Sequence, residues 1–202
     1  MSVDGENGPA LGGLLRAGVF YYGRLLGNGH RALHEVRAAL AARPGERVLD
    51  FGCGCGAFCL AVPGEYVGID LDSEYIDFAR WRWGSPRRRF LARELAALDA
   101  GEPFDKAIMV STLHHLSDAD ATSVLGRLAR LVRRRLVVVD LAPEHSWGLQ
   151  ALLLAWDRGG FVRPLAAQRA LLERHFTVVE ERIFRNTLRT VVHTLLVCDA
   201  RP

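Results

Sequence analysis

The chain has 202 residues, with 26 basic and 23 acidic side chains, a net charge of +3 and half its residues apolar. That length suits one domain with a sizeable core, and the mild charge gives no strong pull toward polyanions or membrane surfaces. Four cysteines without small-scaffold spacing argue against a disulfide framework and for a reducing, cytoplasmic setting, with no leader and no stretch long enough to span a bilayer.

Residues 1–10 are polar and glycine-rich and read as a loose terminus. Helical periodicity then runs over Leu14–Leu26 and Ala32–Ala42, stopping at Pro44-Gly45. Residues 1–28 are expected to form an N-terminal cap helix. Strand-like runs then alternate with helices: RVLDF, YVGID, RRFLA, FDKAIMV and RLVVVDL, with SEYIDFARWRW and DADATSVLGRLARLV between them. Short, near-continuous apolar strands separated by helices imply a mostly parallel sheet covered on both faces. FTVVEERIF and RTVVHTLLVCDA, joined by Arg185–Leu188, fit an antiparallel hairpin added to the edge. The fold expected is therefore α/β, a doubly wound, seven-stranded sheet in one domain over 1–202. Residues 142–175 are expected as a helical insertion over the ligand edge.

VLDFGCGCGAF, Val48 to Phe58, places a buried strand before Gly52-x-Gly54-x-Gly56. Glycines there permit positive φ and close backbone approach to a ligand, and a following helix would offer its N-terminal amides. Cys53, Cys55 and Cys59 match neither zinc-ligand spacing nor the Cys-x-x-Cys redox pattern, so they read as loop fillers and no metal is expected. Gly52-x-Gly54-x-x-Ala57 also satisfies a dinucleotide fingerprint. Asp50 argues otherwise, because a carboxylate at the loop mouth repels pyrophosphate and suits an ammonium or sulfonium group. Asp70 closes the second strand, where an acidic side chain takes ribose hydroxyls. Together they describe a pocket for a nucleoside with a cationic tail and no phosphates.

VLDFGCGCG, VGIDLDSEYIDFAR and FDKAIMVSTLHHLSD, with the seven-strand order and C-terminal hairpin, resemble the class I S-adenosylmethionine-dependent methyltransferases over roughly Gly29 to Cys198. The resemblance implies S-adenosylmethionine as cofactor and methyl transfer as activity. It places the methionine end against Asp50, Gly52, Cys53 and Gly54, the ribose on Asp70, the adenine against Leu71, and the methionine ammonium on backbone near Val110. The acidic residue that usually reaches the adenine amino group falls on Arg93, with Glu94 one position late.

His114 and His115, after the fourth strand, and His145, after the fifth, emerge at the carboxyl edge and are candidate proton acceptors. Positioning alone supplies much of the barrier reduction in such a transfer, so no dedicated base is required. Tyr21 and Tyr22 on one side, and Trp147 and Trp156 in SWGLQALLLAWDRGGF on the other, are expected to wall a pocket for a small, largely apolar or aromatic acceptor; a core or subunit contact is the alternative. Arg87–Arg89 and Arg133–Arg135 precede the third and fifth strands, at the edge opposite the ligand, which disfavours a nucleic-acid substrate. A cofactor-binding protein that does not methylate, and a dinucleotide-dependent oxidoreductase, are the competing readings. The acceptor, the atom methylated and the oligomeric state stay open.

Overall fold

In the computed structural model, residues 11–24, 30–98, 103–143, 160–187 and 191–201 are described. Helices α1 (Leu11–Arg24) and α2 (His30–Leu40) lead into strand β1 (Arg47–Phe51). Next come β2 (Glu65–Asp70), α3 (Ser73–Trp83), β3 (Arg88–Ala92), β4 (Phe104–Val110), α4 (Asp118–Leu131) and β5 (Val132–Leu141). Helix α5 (Leu165–Leu172) and strands β6 (Phe176–Arg185) and β7 (Val192–Ala200) complete the order. The sheet runs β3-β2-β1-β4-β5-β7-β6, parallel from β3 to β5, with β7 antiparallel to both β5 and β6. This is the doubly wound sheet with a C-terminal hairpin that the sequence implies.

Alternation along the strands sorts side chains onto two cores. Val48, Ile108, Val137 and Leu195 face α2 and α3, burying Val36, Leu40 and Ile76. Their neighbours Leu49, Met109, Val138 and Leu196 face α4 and α5, burying Leu125, Leu128 and Leu172. Because both faces are covered, the central strands carry near-continuous apolar runs instead of a polar alternation.

Local signals set the helix starts. Asp72 caps α3, its Oδ1 accepting from the amides of Glu74 (2.9 Å) and Tyr75 (3.2 Å). Ser117 caps α4 by accepting from Asp120 N–H (3.1 Å), and Asp118 and Asp120 place negative charge in its first turn.

Several expectations shift. Helix α1 begins three residues earlier than the periodicity suggests, and α2 begins and ends two residues earlier. The arginine runs do not precede their strands. Arg88 and Arg89 lie within β3, and Arg133–Arg135 within β5, because parallel pairing continues past the apolar core to Tyr66–Arg88 and Phe104–Val132. The runs still mark the amino ends of those strands, and two arginines are paired there, Arg134 with Glu46 (2.8 Å) and Arg135 with Asp199 (2.9 Å).

The expected insertion divides. Ala142 still bonds to β7 through Val192 O (3.0 Å), and α5 covers a sheet face by burying Gln168, Leu171 and Leu172. Residues 160–163 reach the turn leaving β4 at the carboxyl edge, through Phe161 N–H to His114 O (3.0 Å) and through Arg163 to Leu113 O and Leu116 O. His145, Trp147 and Trp156 lie outside the described residues. Among the described residues, no helix is long and apolar enough to cross a membrane.

Candidate functional site

The loop after β1 is built by glycine conformations. Gly52, Gly54 and Gly56 have φ of 72°, 49° and 76°, in the left-handed region that other residues enter only at a cost. At Gly52 a Cβ would stand 2.4 Å from Thr112 Oγ1, so the turn leaving β4 packs against bare backbone there. At Gly54 a Cβ would meet nothing within 4 Å, because that backbone faces open space. The amides of Gly52 (2.9 Å) and Cys53 (3.0 Å) both donate to Ile69 O, tying the loop to β2.

A five-residue 3-10 turn, Ala57–Ala61, follows the loop in place of the helix expected to present its amides. Pro63 and Gly64 leave no length for more. Instead, Gly54 N–H is taken by Asp70 Oδ2 (2.8 Å), and Asp70 Oδ1 accepts from Asp72 N–H (3.0 Å). One carboxylate thus fixes both the loop and the chain leaving β2. Two carboxylate oxygens offer about four acceptor positions, so Asp70 retains capacity for hydroxyl donors.

The three loop cysteines send their sulfurs to different neighbourhoods. Cys53 Sγ lies where a side chain on Gly68 of β2 would go, Cys55 Sγ contacts Ala17 O of α1 at 3.5 Å, and Cys59 is fully buried. Burial pushes the Cys53 thiol well up, reinforced by the negative charges of Asp50 and Asp70. Burial likewise carries the Cys59 thiol up to about 12. These are packing thiols, not nucleophiles.

A cavity of about 690 Å³ opens at the carboxyl edge of the sheet, within the ordinary size range of ligand pockets. Its rim brings together Gly52, Cys53, Gly54, Asp70, Leu71, Arg93, Glu94 and Val110 from the sequence-based candidates, with His115. Leu71 is 74% exposed at this rim. Arg93 and Glu94 both reach this space, and Arg93 N–H is held by Asp70 O (3.0 Å).

Two candidates are placed differently. Asp50 is 1% exposed and does not line the cavity. Its Oδ2 accepts from Tyr66 O–H at 2.5 Å, and the proximity of that carboxylate adds to burial in pushing the tyrosine hydroxyl's pKa up. Alternation within β1 turns this side chain into the core behind the loop, not to its mouth.

His114 is likewise buried and turned away from the cavity. Its Nδ1 lies 2.5 Å from Asp140 Oδ1, and its amide donates to Asp140 Oδ2 (3.0 Å). This ring anchors the turn Leu113–His115 to β5. His115 is the exposed partner, its ring tilted at 44° to that of His114 with centroids 4.2 Å apart, and it faces the cavity.

Among the described residues, no side chain of α1 lines this space. The helix packs on α3, where Arg16 pairs with Asp72 (3.1 Å) and Glu74 (2.5 Å). The side chains of Tyr21 and Tyr22 lie outside the described residues. The apolar wall comes instead from Ala32 and Leu33 of α2, with Phe58, Leu60 and Leu116. Sequence reasoning missed α2, although Leu33 flanks its buried stripe Ala32, Val36, Leu40 and so falls at its edge. It also missed Arg127 of α4, which donates to the carbonyls of Leu95 (2.9 Å), Ala96 (2.8 Å) and Leu98 (2.7 Å) and fixes the turn after β3.

The arrangement can hold a diol on Asp70, a flat apolar group by Leu71 and Leu95, and a polar tail along the backbone of Val110–Thr112. Residues 48–135 match the profile of a methyltransferase domain family. The chain is 36% identical over 161 residues to a ubiquinone biosynthesis O-methyltransferase of Mesorhizobium japonicum, covering 69% of this chain and 64% of that protein. It is 27% identical over 176 residues to the O-methyltransferase cnsE of Penicillium expansum, covering 80% and 63%. The chain therefore spans less than two thirds of either relative's length. The N-methyltransferase NodS of Bradyrhizobium japonicum, solved with S-adenosyl-L-homocysteine, shares the fold with a TM-score of 0.69 at 18% identity over 85% of this chain and 86% of that one. Over residues 48–135 the chain thus matches the methyltransferase-domain family, on a fold it shares with a methyltransferase solved with S-adenosyl-L-homocysteine.

Proposed function

We propose that this protein transfers the methyl group of S-adenosylmethionine to an oxygen of a small, largely apolar or aromatic acceptor. The observation that carries the reading is the cavity at the carboxyl edge. There Gly54, Asp70, Leu71 and Val110 converge on one space, with apolar side chains of α2 opposite. Two O-methyltransferases among the relatives favour oxygen over nitrogen, sulfur or carbon.

The cofactor supplies a methyl group on a sulfonium, ready for attack by a nucleophile. The chain's part is to bind, orient and keep water out. Asp70 receives the ribose hydroxyls with the acceptor capacity left beside its two amide bonds. Leu71 and Leu95 lie against the adenine, and Glu94 or backbone receives its amino group in place of Arg93. The backbone of Val110–Thr112 would take the methionine end, with Asp50 behind the loop held by Tyr66 O–H. Leu33, Phe58, Leu60 and Leu116 present an apolar surface to the acceptor and exclude water. His115, at the rim, accepts the acceptor's hydroxyl proton at a ring nitrogen.

The arginine-rich amino edge faces away from this cavity, which disfavours a nucleic-acid acceptor. Incubation with methyl-labelled cofactor and a cell extract, followed by isolation of the labelled product, tests the proposal. Label in a small phenol or other hydroxyl compound supports it; label confined to nucleic acid or protein rejects it.

A further inference from the structure

The turn leaving β4 carries His115 and Leu116 at the cavity rim, yet it is short and strained. Ser111 has φ of 52°, in the left-handed region. Conformations of that kind persist only where their surroundings hold them. From β5, Asp140 takes the amide and Nδ1 of His114. From the other side, the chain entering α5 supplies a buried guanidinium.

Arg163 is only 9% exposed. Its Nη1 donates to Leu113 O (3.1 Å) and Phe161 O (3.0 Å), and its Nη2 to Leu116 O (2.7 Å). Nε and Nη2 both reach Asp118 Oδ1, at 2.9 and 2.7 Å. Phe161 N–H adds a bond to His114 O (3.0 Å). Three carbonyls of the turn, those of Leu113, His114 and Leu116, are therefore satisfied by Phe161 and Arg163. Arg163 is itself fixed, since its carbonyl accepts from Gln168 Nε2 (2.7 Å). Gln168 also bonds to Leu141 O (2.8 Å) and Thr194 (2.7 Å) in the sheet.

We propose that Arg163 is a positioning residue for the reaction: it holds the His115-bearing turn in register with the cofactor cavity by bonding to that turn's carbonyls. The proposal rests on the cofactor reading given above. A planar guanidinium offers five donors in a fixed fork, whereas an ammonium offers three rotatable ones from a single point. The salt bridge to Asp118 is the lesser part, because that carboxylate is largely exposed.

Hydrogen exchange by mass spectrometry, with and without S-adenosylhomocysteine, tests it. In the wild type the ligand should slow exchange in both 52–58 and 111–118. In Arg163→Gln, exchange in 111–118 should rise about tenfold without ligand. The ligand should still slow 52–58 but no longer slow 111–118. Arg163→Lys should fall between the two, and Asp118→Asn should stay near wild type. Wild-type behaviour of 111–118 in Arg163→Gln would overturn the proposal, as would a uniform rise across sheet and helices. If Arg163→Gln does not fold, Arg163→Lys decides: unaltered ligand slowing at 111–118 overturns the proposal. A wild type in which the ligand slows no segment would instead sink the cofactor reading, while the ligand-free comparison still reports on the clamp.

Discussion

The glycine loop and the turn leaving β4 meet at Gly52 and Thr112, and they are held by different means. The loop is fixed by backbone conformation and by bonds to the adjacent strand: Gly52 and Cys53 to Ile69 O, and Gly54 to Asp70. The turn is fixed by side chains that arrive from far along the chain, Asp140 and Arg163. A structure set by its own φ angles tolerates exchange of its small side chains but not of its glycines. A structure set by distant donors should tolerate change at its tip and fail when a donor is removed.

The sharpest break of the loop side is Gly52→Ala. The added Cβ would collide with Thr112, and φ of 72° is costly for a residue that carries a β-carbon. Strain of about 1–3 kcal/mol is expected from the backbone alone, and S-adenosylhomocysteine affinity should fall by up to about 100-fold. Adding Thr112→Ala should relieve the collision but not the φ penalty, and titration calorimetry on both variants separates the two.

The turn side predicts a split between neighbours. His114→Ala removes a buried anchor, and should cost about 2 kcal/mol and lower Tm by about 4–8 °C. His115→Ala should leave Tm unchanged and reduce methyl transfer by about 100-fold or more if its ring accepts the proton. Scanning calorimetry beside a labelled-methyl assay reads both. Equal effects at the two histidines would erase the distinction drawn between them.

That distinction also explains what the sequence could disclose. The strands RVLDF, RRFLA and FDKAIMV and the helix SEYIDFARWRW were legible to the residue, because apolar runs and caps are local signals. Gly52, Gly54 and Asp70 were legible because backbone conformation dictates residue type within a few positions. Asp50 and His114 look like ligand-facing residues in one dimension. Only alternation along β1, and the partner Asp140 twenty-six residues away, turn them inward. Arg127, Arg163 and the α2 wall carried no local signature, since their acceptors are plain carbonyls or open space that appear only on folding.

The smallest effect concerns the packing thiols. Burial carries Cys59 and Cys198 from 9.0 up to about 12, reinforced at Cys198 by Asp199 and Glu173 and opposed at Cys59 chiefly by Arg88. Above the unfolded value the unfolded chain releases protons that the native chain retains, so their contribution to stability is whole below about pH 9 and declines above it. Urea unfolding between pH 8 and 10.5 should show stability falling, with a shallower fall in Cys59→Ala. An equal slope in that variant would remove the thiol from the account.

The central claim is that one space at the carboxyl edge is a cofactor site in which Asp70 joins loop and ligand. Titration calorimetry with S-adenosylhomocysteine, with NADPH as the counter-ligand, tests it most directly. The account predicts one saturable site for the former and none for the latter, with Asp70→Ala weakening binding about tenfold or more and His115→Ala leaving it near wild type. No binding at millimolar S-adenosylhomocysteine, or binding that ignores Asp70, would contradict it.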